Sequence, residues 1–191
     1  MFNRVIDTYW DSMSNHWDDK ALYKYGVKHM AMVFLNLVTI MILGILFGLL
    51  LEGFIFTICY ILLRKVSGGF HAKTRSLCYF YSVVLYLIAL VCIKYVNYNP
   101  GIAVCLGISF LILLRFLPIE NSNKKLSKCE KNIYKKSSIL VHIGLFLISI
   151  VLAGMDAFSI SMSIWVAIAG THGLIILELL RKKYFEIKIA M

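Results

Sequence analysis

Proline is almost missing from this chain, with 2 in 191 residues, and charge is thin, at 16% Asp, Glu, Lys and Arg. A soluble domain carries roughly a quarter of its residues as charge, so an ordinary water-soluble globule is excluded. Acids are scarcer still: 10 Asp and Glu face 20 Lys and Arg, for a formal charge of +10. A disordered basic tail is excluded as well, because 60% of the residues are hydrophobic, including 12 Phe and 11 Tyr, and mean hydropathy is +0.80. Disulfides offer no framework. The 5 cysteines are odd in number, and Cys59, Cys78, Cys92 and Cys105 lie in or against apolar segments while only Cys129 does not.

What remains is long apolar windows with few breakers, which reads as an all-α, polytopic membrane bundle of about six transmembrane segments. Residues 30–51 form an uncharged window of 22 residues, enough at about 1.5 Å per residue to cross roughly 30 Å of hydrocarbon. Glu52-Gly53 interrupts it. Residues 53–63 are then too short to cross alone and must borrow residues from before Glu52 or form a half-span. Residues 76–93 and 101–114 follow on either side of an Asn97-Tyr98-Asn99-Pro100 turn, and 137–155 and 157–177 flank Asp156.

Charge placement orients these spans. Basic residues collect in 64–76, in 119–136 and in the tail from Glu178, whereas the intervening turns hold Glu52 and Asp156 and, apart from Lys94 at a helix end, no cation. This alternation puts the basic loops, 64–76 and 118–137, and both termini on the cytoplasmic side. A single tilted helix over 30–63 would instead place the N-terminus outside. The basic excess is thus topology and lipid headgroup attraction before it is anything else, and nucleic acid is not an expected partner.

Two domains are expected, a cytoplasmic or interfacial segment 1–28 and a membrane domain 29–191. In the first, Phe2, Val5, Ile6, Tyr9, Trp10, Met13 and Trp17 recur at helical spacing between Asp7, Asp11, Asp18 and Asp19. An amphipathic helix in the headgroup layer is expected, with packing on the protein's own cytoplasmic face as the alternative. No signal-peptide pattern is present in it.

Chemistry concentrates in Arg64-Lys65-Val66-Ser67-Gly68-Gly69-Phe70-His71-Ala72 and the Cys78 beyond it. His71 and Cys78 are seven apart, which on a continuous helix leaves them about 10 Å apart along the axis. A thiol–imidazole contact needs about 3 to 3.5 Å, so a catalytic pair requires a break in the helix between them. Gly68-Gly69 permits one, and its N–H groups can line an oxyanion site. Lys73, Arg75 and a helix starting near Ser76 would all favour a thiolate at Cys78. The plainer alternative, a small apolar Cys78 opening a span and His71 as a loop residue, stays open on these grounds. His142 and His172 lie within spans and are read as interhelical hydrogen-bonding groups. No Cys/His cluster has metal-ligand spacing, and no metal or other cofactor is expected.

Together with Leu117-Pro118-Ile119-Glu120-Asn121-Ser122-Asn123-Lys124-Lys125-Leu126, this motif resembles the accessory gene regulator B (AgrB) family, and the resemblance covers nearly the whole chain. It implies a bacterial membrane cysteine endopeptidase that matures a quorum-sensing pro-peptide, with Cys78 as nucleophile and His71 as base. Arg64 and Gly69 then match flanking motif positions, with Gly68 beside them. Glu120, Asn121 and Lys125 match the second loop. The implied partner is a short amphipathic AgrD-like precursor, cleaved through a thioester and cyclised to a thiolactone or lactone, at a multi-pass protein of the bacterial cell membrane with its active site cytoplasmic. A non-enzymatic transporter or peptide exporter using His142 and His172, and a cysteine acyltransferase, are the competing classes. Homo-oligomerisation is left open.

Overall fold

The computed structural model describes residues 20–68, 74–119 and 127–190. Six helices account for most of them: α1 Lys20–Phe47, α2 Leu50–Ser67, α3 Arg75–Tyr95, α4 Pro100–Leu113, α5 Lys128–Gly154 and α6 Phe158–Ala190. The chain falls into two compact units, residues 1–39 and 40–191. The expected amphipathic helix of residues 1–28 lies outside the described residues up to residue 19, and from Lys20 onward the chain is part of α1.

Each of the six expected spans has its helix, and the protein is a helical membrane protein. Four helices are long and apolar enough to cross a bilayer, over Gly26–Phe47, Ser76–Tyr95, Lys128–Gly154 and Phe158–Tyr184. The other two are marginal for different reasons. Helix α4 has 14 residues, about 21 Å, and α2 has 18 residues but carries Glu52, Arg64 and Lys65 near its ends.

Three boundaries differ from the sequence expectation. The first break falls at Gly48-Leu49 rather than Glu52-Gly53. Gly48 takes φ 69°, and its N–H and that of Leu49 donate to the carbonyls of Ile45 (3.0 Å) and Gly44 (2.9 Å), a glycine-terminated helix end. Glu52 therefore sits in the first turn of α2, where the helix dipole favours an acid, and its Oε1 accepts the Ser159 hydroxyl at 2.9 Å. Helix α2 borrows Leu50 and Leu51 from upstream and runs on to Ser67, so the first basic loop begins only at Gly68. The second basic segment is helical from Lys128, because Ser127 and Glu130 close a reciprocal capping box (2.8 and 3.3 Å).

Helix α6 is the hub of the second unit, packed against α2, α3, α4 and α5. Phe56, Leu63, Tyr86, Leu90 and Ile168 form its main core with their neighbours. Apolar Ile88, Leu140, Leu147 and Leu180 point outward, while Ser138, Ser149, Ser161, Ser163 and Thr171 are buried. That inverted distribution is what lipid demands, since small hydroxyl residues let helices approach and hydrogen-bond while aliphatic chains face the hydrocarbon. Trp165 Nε1, for example, donates to Ser149 Oγ at 2.8 Å.

The two ends of the bundle differ in charge. At one, Lys94 Nζ donates to the Phe47 carbonyl at 3.1 Å, Glu52 meets Ser159, and the Tyr98 ring lies 4.8 Å from those of Phe158 and Trp165. The turn before α4 forms as expected: Asn99 caps it by accepting the Gly101 N–H at 2.8 Å, with Pro100 in its first turn. The other end gathers Gly68, the Phe116–Ile119 segment, and Arg64, Lys131, Lys135 and Lys182.

Candidate active site

The last turn of α2 and the loop before α5 meet at the basic end. Gly68 and Ile119 form an isolated parallel bridge, the Ile119 N–H donating to the Ser67 carbonyl at 3.1 Å. Gly68 can do this because it lacks a Cβ. Its φ is 74°, and a β-carbon there would run into the Ile119 carbonyl oxygen. Arg64 Nη1 donates to the Gly68 carbonyl (3.3 Å), so the guanidinium steadies the backbone at the point where the glycine pair begins. The two motif segments, far apart in sequence, are thus joined one residue before Gly69 on one side and one before Glu120 on the other.

A buried hydrogen bond fixes this junction to the bundle. Ser67 Oγ and Ser138 Oγ lie 2.9 Å apart, both fully buried. Leaving either hydroxyl unpaired in such a place costs about 1–3 kcal/mol. Ser138→Ala is therefore expected to lower the thermal-unfolding midpoint in detergent, and the Ser67→Ala/Ser138→Ala double variant to recover part of the loss. Additive losses in the double variant would contradict the coupling.

Cys78 stands across from Arg64. Thr74 is extended (φ −123°, ψ 154°) and caps α3, its side chain accepting the Leu77 N–H at 3.3 Å. Helix α3 consequently starts at Arg75 and places Cys78 in its first turn, where the Cys78 N–H reaches the Thr74 carbonyl at 3.0 Å. The extended Thr74 excludes one continuous helix from residue 71 to residue 78, the condition that a His71–Cys78 pair requires. The thiol is exposed, and the positive end of the α3 dipole lies next to it.

Cys78 lines a groove of about 750 Å³ between α2, α3 and α6. Tyr60, Arg64, Tyr81, Arg181 and Tyr184 flank it toward the basic end, whereas Leu85, Ile88, Leu174 and Leu177 line it deeper in the bundle. The groove is amphipathic along its length. At the α6 side Arg181 pairs with the buried Glu178 at 3.2 Å.

Of the residues singled out from sequence, Arg64, Gly68 and Cys78 come together around this end of α2 and α3. His71, Gly69, Glu120, Asn121 and Lys125 lie outside the described residues. The groove residues Tyr60, Tyr81, Arg181 and Tyr184 carried no sequence signal beyond aromatic and basic character near helix ends. Cys59 is buried in the core, and Cys105 and Cys129 are exposed without lining this groove. His142 and His172 stack on each other (5.5 Å between centroids) and with Phe110. His142 Nδ1 donates to the Ser138 carbonyl at 2.8 Å, and His172 Nδ1 meets Ser109 Oγ at 2.7 Å. The second contact crosses from α6 to α4, the interhelical role expected of an intramembrane histidine.

The model of the family described as accessory gene regulator B matches residues 3–178. The chain belongs to the accessory gene regulator B family. It is 27% identical over 161 residues to putative AgrB-like protein 2 of Clostridium perfringens, covering 78% of this chain and 75% of that protein. It is also 35% identical over 112 residues to protein FsrB of Enterococcus faecalis, covering 55% of this chain and 45% of that one. No solved structure matches. Membership places the chain among membrane proteins involved in quorum-sensing peptide processing.

Proposed function

We propose that this family member is a membrane cysteine endopeptidase, with Cys78 as nucleophile and His71 as general base, acting on a short amphipathic precursor peptide at the cytoplasmic face of a bacterial membrane. The observation that carries the reading is an exposed Cys78 in the first turn of α3, lining an amphipathic groove beside Arg64. In sequence, His71 stands four residues before the first residue of that turn, Arg75.

In this mechanism His71 takes the Cys78 proton and the sulfur attacks the scissile carbonyl carbon. The Gly68 N–H, expected from sequence to serve here, is taken by the Arg64 carbonyl at 3.1 Å, so the oxyanion is assigned to the N–H of Gly69. The C–N bond then breaks, the leaving amine takes the proton from His71, and the N-terminal part of the precursor remains on Cys78 as a thioester. A thiol within that fragment displaces Cys78 to give a thiolactone, or a hydroxyl gives a lactone, and the released thiolate recovers its proton. Thioester exchange is near neutral in energy. Amide-to-thioester conversion is uphill, so departure of the cleaved tail draws the reaction forward. A precursor adsorbed on the same membrane gains effective concentration.

The groove supplies a test. Apolar side chains of the precursor fit between Leu85, Ile88 and Leu177 while the scissile bond lies at Cys78. Leu177→Trp is then expected to raise the precursor concentration for half-maximal cleavage by roughly 10-fold, the scale of one misfitted apolar contact, with a smaller effect on the maximal rate. Cleavage is followed by mass spectrometry in membranes that contain enzyme and precursor. Export of an uncut precursor by the wild-type protein would reject the reading and favour a transporter.

A further inference from the structure

A second concavity at the basic end has a different character. It measures about 280 Å³ and is lined by Lys131, Asn132 and Lys135 of α5, Lys182 and Leu179 of α6, and the Phe116–Ile119 segment. Three cations face one small volume, and among the described residues no acid lines it. Of the acids close in sequence, Glu130 accepts the Ser127 N–H at 2.8 Å, and Glu178 is buried against Arg181.

Position in the bundle narrows the ligand. Inward of the lysines, within roughly two helical turns of Lys135 and Lys182, Leu140 and Ile143 of α5 and Ile176 and Leu180 of α6 are exposed and apolar, and Phe116 at the pocket's edge is half-exposed. The lysines therefore sit where the hydrocarbon belt ends, their stems able to lie along apolar surface with the ammonium groups at headgroup depth. A basic pocket between two helices at this level is a headgroup site in chemistry: ammonium and amide donors for phosphate oxygens, and apolar walls for the start of the acyl chains.

We propose that this pocket binds the phosphate headgroup of an anionic membrane lipid, independently of the groove at Cys78. Because Ile119 is part of both the pocket and the bridge to Gly68, the bound lipid would brace the junction of the two motif segments from the side opposite Cys78.

The test uses the full-length protein purified in a neutral detergent, with the thermal-unfolding midpoint titrated against dioleoylphosphatidylglycerol or dioleoylphosphatidylcholine. Phosphatidylglycerol is expected to raise the midpoint and phosphatidylcholine to leave it nearly unchanged. The Lys131→Gln/Lys135→Gln/Lys182→Gln variant should need on the order of 100-fold more phosphatidylglycerol for the half-maximal shift, at roughly fivefold per lysine. Lys128→Gln/Lys136→Gln/Lys183→Gln removes the same charge from exposed positions outside the pocket and should stay within a few fold of wild type. Lys131 and Lys182 also interact within the protein, so Lys135→Gln alone, expected to cost roughly fivefold, serves if the triple variant does not fold. Equal losses in the two triple variants would reduce the effect to diffuse surface charge and overturn the proposal. So would a full shift produced by glycerol phosphate without acyl chains, or a larger one produced by hexaglutamate peptide.

Discussion

Cys78→Ala membranes are expected to leave the precursor uncut, with processing at least about 10³-fold below wild type at equal protein level, the scale on which removal of a nucleophile acts. The reason lies in the chemistry assigned to the thiol. Without sulfur there is no acyl-enzyme, and water attacking an amide in the groove lacks both the nucleophile's intrinsic reactivity and its placement. Cys78→Ser is expected to be nearly as inactive, because a serine hydroxyl is a far weaker acid and a poorer nucleophile than a thiol. Fold should survive both changes. The side chain is exposed in the first turn of α3, and the cap that sets that turn comes from Thr74. Equal folding with lost processing, measured by unfolding midpoint and precursor mass, separates a chemical role from the plainer reading of Cys78 as a small apolar residue opening a span.

Gly68→Val is expected to be the most damaging single change outside Cys78 and His71. Two effects add. A β-branched residue at φ 74° costs about 1–3 kcal/mol in backbone strain, and the new Cβ meets the Ile119 carbonyl oxygen, which is backbone and cannot swing aside. The bridge must open. Arg64 then loses its carbonyl partner, and Gly68, the residue before the Gly69–His71 motif segment, loses its anchor. A displacement of about 1 Å at a catalytic group is enough for about 10²-fold in rate. Processing is expected to fall by about 100-fold or more, with a lower unfolding midpoint than wild type. Wild-type processing by Gly68→Val would show that the bridge does not position the site.

How much of this was legible in the sequence depends on whether the signal was local. The Asn99-Pro100 start of α4 was, because the cap and the fixed proline φ act within two residues. The end of α1 was not. Glu52 is the more conspicuous interruption, but an acid in a first helical turn is stabilised there, whereas Gly48 ends the helix through backbone conformation alone. The capping box from Ser127 to Glu130 was present in the sequence, yet it lies inside a lysine-rich stretch that reads as loop. At the site, Cys78 and Arg64 followed from motif and charge. Their shared groove did not, because it depends on α6 bringing Leu177 and Arg181 against α2 and α3. The Ser67–Ser138 pair and the Gly68–Ile119 bridge are contacts over 71 and 51 residues, and no periodicity announces them.

The central claim is that a thioester forms on Cys78. Intact-protein mass spectrometry after acid quench of enzyme mixed with precursor tests it most directly. The account predicts an adduct with the mass of the precursor's N-terminal fragment, mapped to Cys78, released by neutral hydroxylamine and absent from Cys78→Ala. Cleavage of the precursor at the wild-type rate by Cys78→Ala, with no adduct on the wild-type protein, would contradict it.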